Sequence, residues 1–305
     1  MKKRLHTALL LFLLPITLWL LLDTSIRDAV TTALSLCTRS VIPALFPFMV
    51  VSSMLVALGL GELLSAPLGG LMAIYGIGGA GASALVLGLI GGYPMGGRTA
   101  AQLYRDGLLT KDEAERLLAF CNNANPAFLI SVLGTGIFGS FRAGLWLWLI
   151  HIAAALTAGL LVGRPRRGPV SRSPCAPAAA FRTAGIASVF VSSVQTALQS
   201  ILNVCAFVVV FCILSLPFRA MGGIVGTLAS GLLELFSTLP LIPPDRVGFV
   251  LAAALSGWGG VSVLCQTAAL AADTGLSLRR CALGKAIQGI LSALLAFLCT
   301  AFVFQ

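Results

Sequence analysis

Apolar residues fall along this chain in long runs, at about 8–22, 41–60, 66–92, 126–138, 143–163, 199–217, 221–242, 246–272 and 282–304. A bilayer span needs ~20 mostly apolar residues, so this is material for roughly eight membrane segments. The runs are continuous and rich in Leu, Ala, Val and Gly, where barrel strands would alternate over short stretches, and this predicts helices. Two runs carry a glycine break inside them: Gly88 to Gly97 reads G-L-I-G-G-Y-P-M-G-G, and Ser256 to Cys265 reads S-G-W-G-G-V-S-V-L-C. Glycine loosens the backbone and Pro94 lacks an amide donor, so a helix must stop there. Broken backbone at membrane depth is tolerated only inside protein or beside a water-filled cavity. The expected fold is an all-α integral membrane protein, with about eight transmembrane segments in two pseudo-repeated halves and re-entrant hairpins or broken helices.

The two halves follow from spacing. Gly91-Gly92 returns as Gly259-Gly260, Thr99-Ala100-Ala101 as Thr267-Ala268-Ala269 and Gly107-Leu108 as Gly275-Leu276, each 168 positions on, and Glu62-Leu63-Leu64-Ser65 resembles Glu234-Leu235-Phe236-Ser237. Coincidence is a real alternative in a chain so rich in Gly and Ala. Two halves on one plan, however, are a frequent mark of secondary transporters, whose sites lie where the halves meet.

Charge supplies topology. The chain has 305 residues, only 10% of them charged, with net charge +10. Its Lys and Arg sit at Lys2 to Arg4, along 98–116, along 164–182 and at Arg279-Arg280. They mark loops that stay inside rather than one nucleic-acid-binding face. The opening Met1-Lys2-Lys3-Arg4 and Ala8–Leu22 run would fit a secretory signal as well as a first span. No small-x-small site follows, so a retained helix with a cytoplasmic amino end is expected. The Pro- and Arg-rich stretch at 164–182 reads as a cytoplasmic linker. The division expected is 1–30 as first span and external turn, 31–163 as first half, 164–182 as linker and 183–305 as second half. A hairpin over 63–97 that returns to its own side keeps 98–116 inside. Inverted symmetry would put Arg279-Arg280 outside, so the orientation of the second half stays open.

Candidate chemistry gathers at the breaks. Gly91, Gly92, Tyr93 and Pro94 form the first, followed by Arg98 and Thr99 on a new helix. A helix amino end with an arginine beside it suits an anion, although Arg98 also reads as a topology marker snorkelling to the edge. Asn122, Asn123 and Asn125 precede Pro126, and their amides serve either a helix break and a polar solute or a plain loop and cap. Glu234 is the acid set deepest in an apolar run; an ion pair is the alternative to coupling or solute contact. Ser262, Gln266 and Thr267 are the polar groups of the second break. Pro43 and Pro47 are expected to kink the second span. Asp112, Glu113 and Glu115 read as the first turn of a surface helix capped by Thr110.

With two histidines and no H-E-x-x-H, G-x-S-x-G or G-K-[ST] motif, the sequence argues against an enzyme or an ATP-driven pump. Eight scattered cysteines read as packing residues, and no metal or cofactor is expected. The partners expected are the bilayer, a small anionic solute and a coupling proton or sodium ion, with no nucleic acid; homo-oligomerisation stays open.

The run Ser40 to Phe48, then Gly91 to Arg98 with Leu103, Tyr104 and Gly107, then Thr110 to Phe128, resembles the sporulation integral membrane proteins of the YlbJ type (stage V sporulation protein V). The likeness is specific over 40–140 and looser but collinear through Glu234 and Gly259-Gly260. It implies a nucleoside-recognition Gate domain, distantly similar to concentrative nucleoside transporters. It also implies a part in endospore formation, where the family is associated with moving dipicolinic acid across the outer forespore membrane. The sites it carries over are 91–98, Asn122 to Pro126 and Glu234. The second half has no counterpart of the Asn-Asn-x-Asn-Pro run, which puts a second hairpin in doubt. The other functions weighed are a non-transporting scaffold or signalling partner in spore formation and a nucleoside carrier.

Overall fold

The computed structural model describes residues 14–304 other than 16, 20, 21 and 164–184. The expected first span therefore lies largely outside the described residues, and the 164–182 linker wholly so. Among the described residues every element is a helix. Five stretches are long and apolar enough to cross a membrane: Thr24–Leu55, Phe141–Val162, Ile186–Leu214, Arg246–Ala271 and Arg279–Val303. Gly81–Gly91, Phe128–Ile137 and Gly223–Leu233 are apolar but only half a span long.

Helix α1 (Thr24–Leu36) begins where the Asp23 carboxylate accepts the Ser25 amide at 2.8 Å. It runs through a π-helical turn, Cys37–Val41, into α2 (Ile42–Ala57). Within the stretch expected to hold an external turn, the chain is helical from Thr24 onward. The proline effect appears as that π turn, placed just before Pro43, which has no amide to continue the regular ladder. Helix α3 (Leu60–Ile74) follows.

Helices α4 (Gly81–Gly91) and α5 (Met95–Arg105) fold back on one another across Gly92, Tyr93 and a cis Pro94. Their crossing is close because Gly88 and Gly96 face each other, and a Cβ on either would run into the Cys121 carbonyl. Helix α6 (Lys111–Leu118) opens on the capping box read from sequence, Thr110 with Glu113. It is not a free surface helix, because Glu113 is 2% exposed and takes the Gly78 amide at 2.9 Å. The chain then unwinds over 119–125 and resumes as the π-helical segment Phe128–Ile137, followed by α7 (Phe141–Val162).

After the linker come α8 (Ile186–Leu214), the short α9 (Leu216–Arg219) and α10 (Gly223–Leu233). An extended Glu234 separates α10 from a 3-10 turn, Phe236–Leu241. Helices α11 (Arg246–Trp258) and α12 (Val261–Ala271) are interrupted by Gly259-Gly260, both at positive φ, and α13 (Arg279–Val303) closes the chain.

Helix α13 fixes the two ends of the molecule. Near its start Arg280 pairs with Asp112 at 2.6 Å, and just past its end Phe304 packs on Phe138 and Phe249, with ring centroids 6.3 and 5.7 Å apart. The chain from 111 to 138 therefore runs alongside α13 from end to end, and α11–α12 runs back the other way. Arg105 pairs with Asp273 at 2.7 Å, and the Ser277 amide reaches Glu115 at 2.9 Å. The loops before α6 and before α13 thus share one end, and Arg279-Arg280 stands on the same side as the basic 98–116 stretch. That removes the inverted placement of Arg279-Arg280 that the sequence left open.

The 168-residue correspondence is visible in the backbone. Gly92 and Gly260 have φ of 77° and 91°, Gly107 and Gly275 have 71° and 66°, and α6 and α13 begin at equivalent positions. The two ion pairs Arg105–Asp273 and Asp112–Arg280 each join residues 168 apart. The likeness ends on either side. Helix α4 turns back along α5, whereas α11 and α12 continue as one broken span, so of the two forms the sequence left open, hairpin or broken helix, the second break takes the broken helix.

Candidate functional site

Four interruptions of regular helix meet in the interior. Added to Gly92, a Cβ would lie 2.6 Å from Asn125 Cβ. On Gly259 it would lie 2.9 Å from the Tyr93 hydroxyl, and on Gly260 3.0 Å from the Leu233 carbonyl oxygen. The breaks at 92–94, 119–125, 234 and 259–260 are thus in mutual contact. Each lends a wall residue to one cavity, lined among others by Tyr93, Asn125, Phe128, Leu235, Gly259 and Gln266. It leaves about 30 Å³ for water-sized molecules, space for roughly two or three waters.

Beside the cavity lies a buried polar cluster built from three distant segments. Lys285, 1% exposed on α13, donates from Nζ to Gln288 Oε1 at 2.8 Å and stands 3.4 Å from Asn123 Oδ1. Gln288 Nε2 donates to the same Asn123 oxygen at 3.1 Å and lies 3.2 Å from His151 Nε2, which also accepts the Ala124 amide at 3.2 Å. Asn123 in turn donates to the Phe120 carbonyl at 2.7 Å. Above the ammonium sits the Tyr93 ring, 5.2 Å from Nζ to centroid. Among the described residues no carboxylate pairs with Lys285.

The asparagines expected from sequence serve different ends. Asn122 donates to Thr267 Oγ1 at 2.8 Å, and its oxygen accepts the Gly97 amide at 3.4 Å, tying the start of α5 to α12. Asn123 is the hub of the Lys285 cluster. Asn125 caps the following segment by accepting the Phe128 amide at 2.8 Å. Thr267 also donates to the Val263 carbonyl, and Ser262 is buried on the first turn of α12. Gln266 is 6% exposed and lines the cavity with Oε1 unpartnered. Gly91 ends α4, and Thr99 returns its hydroxyl to the Met95 carbonyl at 2.9 Å.

Two expected residues fall elsewhere. Arg98 is half-buried on the first turn of α5, is absent from the cavity wall and has no ion pair among the described residues. The amides around it are largely spoken for, Gly97 by Asn122 and Arg98 by the Pro94 carbonyl, so α5 offers a poorer anion seat than its sequence promised. Glu234 is buried, but both its oxygens accept amides of the 3-10 turn that it opens, Phe236 at 2.9 Å and Ser237. Arg219 donates to the Ser237 carbonyl of that turn. The sequence reading missed Lys285, Gln288 and His151. The available signal was Lys285 and Gln288, one helical turn apart in the run before Gly289, an ionisable residue inside an apolar helix.

Among the described residues no cluster of His, Cys, Asp and Glu is arranged to hold a metal, and the seven described cysteines are free thiols. Along 89% of its length, and across 76% of the relative, the chain is 24% identical to the sporulation integral membrane protein YlbJ of Bacillus subtilis. The resemblance read from Ser40 to Phe128 thus extends over most of the chain, as a similarity to a sporulation integral membrane protein. No family model matches the chain, the expected Gate domain included, and no solved structure matches it. The similarity and the long apolar helices together make it multi-pass.

Proposed function

We propose that this protein serves in spore formation as a carrier of a small anionic solute, with dipicolinic acid at the outer forespore membrane the first solute to test. The observation that supports this is the meeting of four helix breaks around a cavity beside a buried ammonium that has no carboxylate partner among the described residues. Leaving backbone broken at membrane depth costs hydrogen bonds, and burying a lone cation costs several kcal/mol. Both costs recur where a solute must leave water and find polar groups midway through a bilayer. The sporulation role rests on the likeness to YlbJ, and the choice of an anion on Lys285. A proton or sodium gradient supplies the drive.

The test is uptake of labelled dipicolinate into vesicles carrying the purified protein, beside labelled nucleosides and under proton and sodium gradients. Saturable dipicolinate uptake without nucleoside uptake supports the reading. Nucleoside uptake alone makes the protein a nucleoside carrier, and no uptake of either leaves a scaffold or signalling role.

A further inference from the structure

The geometry points to Lys285 as the receptor for a solute carboxylate, with the Tyr93 ring as the movable wall that separates it from the cavity. This rests on the anion-carrier reading and assigns the charge-recognition step to α13 rather than to Arg98 on α5.

Three observations carry it. First, Lys285 is held rather than neutralised. Its Nζ has neutral oxygens of Gln288 and Asn123 on one side, and an ammonium has three donors, so this leaves one toward the Tyr93 face. Second, Tyr93 belongs to both compartments. Its ring lies 5.2 Å from the ammonium, and it also lines the cavity. The ring sits on the Gly92-Tyr93-Pro94 break, and its hydroxyl is held by a single bond to the Ser256 carbonyl at 3.3 Å. A ring face attracts a cation less strongly than a carboxylate does, so an anion arriving through the cavity exchanges a weak partner for a strong one. Third, Gln266, also in the cavity wall, offers an unpartnered Oε1 while nine-tenths buried. Its amide can turn to donate to a second polar group on the solute. A solute with a carboxylate at one end and a hydrogen-bonding group at the other spans the two. Arg98 lies outside this wall and acts on approach only.

Binding is read separately from transport. The detergent-purified protein is titrated with dipicolinate and with its neutral analogue, pyridine-2,6-dicarboxamide, while its thermal unfolding is followed. The expected result is stabilisation by dipicolinate alone, at least ten-fold weaker in apparent affinity in Lys285→Gln and retained in Lys285→Arg and Arg98→Ala. Equal binding by Lys285→Gln, equal binding of the diamide, or no stabilisation of the wild type overturns the assignment. Should Lys285→Gln not fold, Tyr93→Leu decides: removing the competing ring is expected to tighten dipicolinate several-fold, and unchanged or weaker binding sinks the idea. Vesicle uptake then tests the carrier itself. Charge-dependent binding without uptake keeps the receptor and removes the carrier; uptake that survives Lys285→Gln does the reverse.

Discussion

At the residue scale, the site depends on atoms with no room to spare. Asn123 gives one oxygen to both Lys285 and Gln288. Asn123→Leu takes one buried acceptor from each of those donors, a loss of about 1–3 kcal/mol, and a lower unfolding midpoint in detergent is expected. Asn123→Asp has a different signature. It sets a fixed carboxylate against the ammonium, so stability is kept while dipicolinate binding falls, a separation that titration of the two variants checks. Gly88 is the steric counterpart. Gly88→Val drives a side chain into the Cys121 carbonyl, backbone that cannot step aside, and a destabilisation of at least ~1–3 kcal/mol is expected in chemical denaturation. Asn123 and the Gly88 break could be singled out in sequence, but their assembly with Lys285 and His151 could not. Lys285, Asn123 and His151 stand on segments more than a hundred positions apart in two of the three pairings, and only packing makes them neighbours.

At the element scale, legibility followed chemistry that is local. The interruptions at Gly92 to Pro94 and at Gly259-Gly260 could be read because glycine and proline act on their own backbone. The Thr110–Glu113 box could be read because both partners lie within one turn. What could not be read was the direction of the chain after each interruption. Helix α5 returns along α4 because Gly88 and Gly96 permit contact, while α12 continues away from α11; both look alike as glycine-broken apolar runs. Helix starts α5 and α12 are joined through Asn122 and Thr267, so Thr267→Val is expected to loosen that joint and to raise hydrogen exchange of the Gly97 amide. Where the two elements end, the hydrogen bond from Arg105 holds the Asp273 carboxyl below its usual 3.8. A depressed acid stabilises the fold fully above its unfolded value and loses that contribution as pH falls through the folded value. The Arg105–Asp273 tie is therefore expected to be constant from neutral pH down to about 4 and lost below it, which comparison with Asp273→Asn across pH would check.

At the scale of the whole molecule, the three described ion pairs, Arg105–Asp273, Arg116–Asp112 and Arg280–Asp112, all gather at one end. On the carrier reading proposed above, one end must open while the other stays shut, and these ion pairs tie this end. Cysteines placed at 105 and 273 are expected to cross-link under oxidation, to arrest dipicolinate uptake and to restore it on reduction; unaffected uptake would mean that this end does not move. Sidedness follows from the same geometry. In a variant without reactive native thiols, cysteines at Lys111 and Arg279 are expected to react with an impermeant reagent from one side of the membrane, and one at Arg142, at the start of α7, from the other. The charge pattern had foreseen a shared side for the basic loops, but the apparent symmetry of the halves pulled against it. Contacts such as Ser277 with Glu115 decide the matter.

Tyr93 has one further consequence. The chain has only three tyrosines, and this one alone lies across an ammonium while facing empty space. Charge beneath the ring is expected to shift its near-ultraviolet band, so filling the cavity or lifting the ring away should give a difference signal, read against the stronger absorption of the four tryptophans. The wall of the chamber is in this way its own optical gauge, and occupancy can be followed in the unlabelled protein by difference spectroscopy.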